Sequence, residues 1–116
     1  MSMYPWRAGE VITAERLTAG MQRGMVAVEL TEEIENTGSN NNQWANTYRR
    51  GSVRVTFDVP FAEVPTIQVT PRTNSPGVFL EASYTDVSTT GVTIFAARGN
   101  TTATNVDWLA IGRPAL

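Results

Sequence analysis

Between Gly51 and Arg113 apolar residues fall on alternate positions in run after run. Val53, Val55, Phe57 and Val59 alternate with Arg54, Thr56 and Asp58. Ile67 and Val69 follow, then Leu80, Ala82 and Tyr84, then Val92, Ile94 and Ala96, then Val106, Trp108 and Ala110. Strand side chains point to opposite faces at period two, so each run is predicted to be a half-buried strand. Turn residues separate the runs. Pro60 and Pro65 bracket PFAEVP, Pro76 and Gly77 close RTNSPG, STTG places Gly91 where a positive φ is expected, and RGNTTATN joins the last two strands. Short alternating runs between such turns predict an all-β fold, a small antiparallel sandwich or barrel. That architecture puts function into loops and subunit interfaces rather than a deep cleft.

The first 24 residues depart from the pattern. Thr13 is the expected helix N-cap, and Ile12 and Leu17 have the spacing of a hydrophobic staple. Ala14, Leu17 and Met21 form a narrow apolar stripe, and Gly20 and Gly24 limit the helix to about three turns. A helix that short is marginal without a partner surface. With Tyr4, Pro5 and Trp6 ahead of it, residues 1–24 read as a docking arm whose assembly anchors are Tyr4, Trp6, Leu17 and Met21. The alternative is an arm folded back on its own sandwich. Residues 25–116 form the sandwich, starting with a strand over residues 25–31 that turns Val26, Val28 and Leu30 to one face. Residues 36–46, NTGSNNNQWAN, are a polar loop. Within it Trp44 either plugs the edge of the core or offers a stacking platform.

A chain of 116 residues is one domain, and at this size it buries roughly 65% of its unfolded surface. The net charge of −2 gives no reason to expect a nucleic-acid partner. Glu29, Glu32, Glu33 and Glu35 cluster in sequence, as do Arg49, Arg50 and Arg54. They are either solvated surface or two faces that meet between subunits. There is no lysine, cysteine or histidine, hence no disulfide framework, thiolate metal site or histidine base. No cofactor or metal is expected. No apolar run is long enough to insert in a membrane, and the N-terminus lacks a signal-peptide layout. Asp58, Glu63, Glu81, Asp86 and Asp107 are available carboxylates, but strand parity and nearby turns assign them to the surface, and no enzyme is predicted.

The segments VRVTFDVPFAEVPTIQV, DVSTTGVTI and VDWLAIG, in this order, resemble the H-type lectin fold over Val53 to Gly112. That resemblance implies a six-stranded antiparallel β-sandwich, with Phe57, Phe61 and Trp108 as core bulk and Pro65 leading into the second strand. The arm, YPWRAGEVITAERL, is similar to the W-x-x-G-x-x-x-T-A-x-x-L opening of bacteriophage tail-tip and fibre proteins. Together they imply a bacteriophage virion protein of the tail tip, baseplate or fibre, made in the host cytoplasm. They further imply a homotrimer with the helix near its three-fold axis, docked on other phage tail or virion proteins.

The lectin chemistry of the family does not carry over residue by residue. The family's arginine falls near Phe79, its Trp-His pair near Gly99 and Asn100, and its later aromatic near Thr102. A different carbohydrate-binding set is offered by Arg98, Asn100, Thr101 and Thr102 as hydrogen-bonding groups and by Trp44 as a stacking face. Two functions of different kinds follow: a receptor-recognition lectin for host cell-surface glycan, and a structural connector or decoration protein with no ligand.

Overall fold

The computed structural model describes residues 13–35, 47–73, 77, 79–99 and 103–115. They form a small all-β domain of two antiparallel sheets with one short helix. Helix α1 (Ala14–Ala19) precedes β1 (Met21–Val28), β2 (Glu32–Glu35), β3 (Thr47–Thr56), β4 (Thr66–Pro71), β5 (Leu80–Thr85), β6 (Gly91–Arg98) and β7 (Thr104–Ile111). One sheet runs β1-β7-β4 and the other β2-β3-β6-β5.

The alternation predicted from sequence sets the inner faces. Val92, Ile94 and Ala96 of β6 are buried, as are Val106 and Ala110 of β7 and Ile67 of β4. Val55, Phe57 and Phe61 join them, and Val28 and Leu30 extend the cluster. Burying an aliphatic or aromatic side chain of this size contributes about 1.5–3 kcal/mol, so the cluster is the main source of stability. Phe57 meets Phe61 edge-on at 5.1 Å and Trp108 at 5.9 Å between ring centroids. The three expected bulky residues therefore touch. Trp108 also lies over Gly24, where an added Cβ would stand 2.9 Å from the indole.

Several expectations are corrected. Described strands number seven rather than six, because the acidic stretch Glu32–Glu35 is itself a strand paired with β3. Its partners explain it: Glu32 sits opposite Arg50 and Glu33 opposite Arg49, so charge complementarity replaces apolar alternation.

The helix is six residues long, and Met21 belongs to β1 instead of a helical stripe. Thr13 does cap it, its hydroxyl accepting from the Arg16 N–H at 3.1 Å. Gly20 ends it by donating to the Arg16 carbonyl, and its own carbonyl accepts from Gly112 at 3.0 Å. From Met21 onward every residue of β1 pairs with β7, which outcompetes a marginal helix. The first strand thus spans Met21–Val28 rather than residues 25–31.

Gly91 does not have a positive φ. A Cβ there would collide with the Val55 carbonyl oxygen, and the left-handed residue of that turn is Asp86, at φ 50°. Gly77 does adopt a positive φ, 93°.

Arg98, read as part of the last loop, closes β6 and lies on its inner face. β3 ends at Thr56, leaving Asp58 and Val59 in the connection that follows.

Candidate functional site

The sandwich presents two outer faces, and strand register assigns their residues. On the three-stranded sheet, Met21, Ile111 and Thr66 lie side by side, then Arg23, Leu109 and Gln68, then Met25, Asp107 and Thr70. Met21 is 40% exposed and Met25 52%, values unusual for side chains of this type. Leu17 of α1, at 46%, adds to the exposed apolar residues of this N-terminal stretch. Leu109 and Ile111 between the edges are half-buried. Beside them an open groove of about 710 Å³ is lined by Arg23, Met25, Gln68, Arg72, Asp107 and Leu109. Arg72 donates to Asp107 at 2.7 Å, and that hydrogen bond raises the arginine above its ordinary value.

The arm meets the sandwich through Gln22. Its amide nitrogen donates to the carbonyls of Ala19, at 2.9 Å, and Val59, at 2.7 Å, while its oxygen accepts from the Val59 N–H at 3.2 Å. One side chain thereby holds the helix C-terminus, β1 and the connection after β3 together. Leu17 and Met21 among the predicted anchors are both exposed; Tyr4 and Trp6 lie outside the described residues.

The outer face of the four-stranded sheet is more polar. Glu32, Arg50, Ala97 and Glu81 form one row across it, and Ser52, Phe95 and Ser83 the next. Arg50 grips Glu32 with two hydrogen bonds, from Nε and Nη2, both 3.0 Å. Hydrogen bonding from Arg50 holds the Glu32 carboxyl below the usual carboxylate range. On the opposite parity, in the row of Arg98, Arg49 pairs with Glu33 at 3.2 Å. Arg54 donates to the Asp86 carbonyl at 2.7 Å and to the hydroxyls of Thr93 and Ser88 at 3.2 Å, securing the DVSTTG turn. These charges are thus engaged within one chain, by strand pairing and turn anchoring.

Of the predicted carbohydrate-binding set, Trp44, Asn100, Thr101 and Thr102 lie outside the described residues. Arg98 is 9% exposed, on the face it shares with Val92, Ile94 and Ala96. Its Nε is buried with no hydrogen-bond partner among the described residues. A side chain beginning on the inner face of a sheet end reaches solvent only past its neighbours, so Arg98 is not the open loop group that RGNTTATN suggested. Phe79 is 72% exposed just before β5. Tyr84 is expected to face the core with Leu80 and Ala82 but is 43% exposed. Its strand is the outer one of its sheet, and beside it lies an open cleft of about 550 Å³ shared with Ile67 and Val69 of β4.

The carboxylates are spread over the surface. Asp107 and Glu81 occupy outer faces of different sheets, Asp86 sits in the turn under Arg54, and Asp58 and Glu63 are exposed in the connection between β3 and β4. One residue that sequence reading passed over stands out. Phe95 lies between inward Ile94 and Ala96, so the parity of VTIFAAR already requires an aromatic on the outer face.

Compared with known proteins, the sequence matches no family model and no curated sequence.

Proposed function

We propose that the protein is a bacteriophage virion protein of the tail tip, baseplate or fibre, built as an H-type-lectin-like sandwich and assembled as a homotrimer. It attaches to another virion protein through its N-terminal arm and contacts host-surface glycans through its loops. The observation that carries this reading is the exposed apolar set Leu17, Met21 and Met25, running from the helix onto an edge strand. Large exposed apolar side chains gathered on one stretch mark association surfaces, and a closed ring of copies covers such a stretch in every subunit. The two-sheet architecture and the contacts of Phe57 with Phe61 and Trp108 support the fold resemblance, since they join its opening segment to its final strand.

The test is the mass of the purified chain in solution, together with its location in imaged particles. A trimer found at the tail tip, baseplate or fibre supports the reading. A monomer found in no particle contradicts it.

A further inference from the structure

Phe95 lies on the outer face of the four-stranded sheet, with a small residue directly opposite it on each flanking strand and Thr93 two residues before it on its own. Ser52 and Ser83 are directly opposite it on the flanking strands, and Ala97 is two residues along its own. The ring lines a shallow depression of about 120 Å³ with Tyr48, Arg50, Glu81 and Ser83. An outward aromatic stabilises a sheet when a bulky or β-branched partner lies opposite. Two serines are not such partners. Phe95 therefore gains little from its two direct cross-strand partners, and it keeps a half-buried side chain, covered in part from the diagonal, where antiparallel sheets ordinarily carry polar groups.

What surrounds the ring is a set of hydrogen-bonding groups of both senses. Arg50 is oriented by its two bonds to Glu32, which leaves Nη1 to donate elsewhere. Glu81 accepts from the other side of Ala97, and the hydroxyls of Ser83 and Ser52 do either. An aromatic face with a few convergent polar groups suits a ligand that has one apolar face and a polar rim. A pyranose ring is such a ligand. Charge narrows the choice further: Arg50 is already neutralised by Glu32, while Glu81 adds a negative charge, so an anionic sugar is disfavoured.

We propose that this depression is a binding site for one neutral pyranose ring, stacked on Phe95 and hydrogen-bonded through its hydroxyls to Arg50, Glu81 and Ser83. The proposal rests on the reading of the chain as a glycan-contacting surface module, and it places the contact on a sheet face rather than in the loops. Such a shallow single-ring site binds weakly by itself, with avidity supplied by multiple copies.

Saturation-transfer NMR on the full chain tests it, with methyl β-galactopyranoside and N-acetylglucosamine as neutral probes and N-acetylneuraminic acid as the anionic one. At least one neutral probe is expected to take up saturation on its ring C–H protons, with that signal lost in both Phe95→Ala and Ser83→Ile. The second variant keeps the aromatic ring but covers it with a residue that suits a strand. Transfer to neither neutral probe, transfer that survives in Phe95→Ala, or preference for the anionic sugar would each overturn the proposal. So would loss of oligomeric mass in Phe95→Ala, since the face would then be a subunit contact. Failure of the virion reading shows separately, in the mass and location of the unaltered chain, and leaves the sugar result standing.

Discussion

The side chain of Gln22 pairs with both peptide groups of Val59, donating to its carbonyl at 2.7 Å and accepting from its N–H at 3.2 Å. An amide here does the work of a strand backbone, and the same nitrogen also caps the carbonyl of Ala19. Gln22→Ala leaves those partly buried groups without a partner, at a cost of about 1–3 kcal/mol. Urea denaturation is expected to show a lower midpoint with an unchanged slope. An unchanged midpoint would mean that water satisfies these groups equally well.

Gly51 is a second structural requirement, because a Cβ there would run into the backbone carbonyl of Glu29. Backbone cannot step aside as a flexible side chain does. Gly51→Ala is expected to destabilise by about 1–3 kcal/mol or more, whereas Gly99→Ala, whose Cβ meets nothing among the described residues, leaves stability within about 0.5 kcal/mol. Paired thermal melts check the contrast.

The Glu32 carboxyl titrates below its ordinary value because Arg50 hydrogen-bonds its charged form. A depressed folded value means that the stabilisation is fully present above the unfolded pKa, near 4.5, and is lost as pH falls through the folded value. Both side chains remain open to solvent at the surface, so the effect is small and screened by salt. Carbon-detected NMR titration should find the Glu32 midpoint below that of exposed glutamates, and Arg50→Met should return it to the ordinary range. A midpoint unmoved by Arg50→Met would assign the shift to some other group.

Much of this fold is legible in the sequence, because period-two alternation sets parity wherever one face is buried. The inward sets of β4, β6 and β7 follow directly from it. Parity failed where another force sets the strand: Glu32–Glu35 carries no alternation and is held opposite Arg49 and Arg50 by charge. The spacing of Met21 from Leu17 fits one helical turn, while pairing of β1 with β7 decides the outcome. Gly91 reads as a turn glycine, yet its constraint is a long-range approach to Val55 that local sequence does not encode. The surfaces are less legible. Phe95 is betrayed by parity alone, but its serine neighbours come from strands distant in sequence. Arg98 looks like a loop cation because nothing local indicates that β6 continues through it.

The central claim is self-association through the exposed apolar stretch of α1 and β1, and native mass spectrometry of the purified chain at micromolar concentration tests it most directly. The expected result is three times the chain mass, reverting to a folded monomer in the double variant Met21→Glu, Met25→Glu. A wild-type chain found only as a monomer, or a trimer indifferent to those two substitutions, would contradict it.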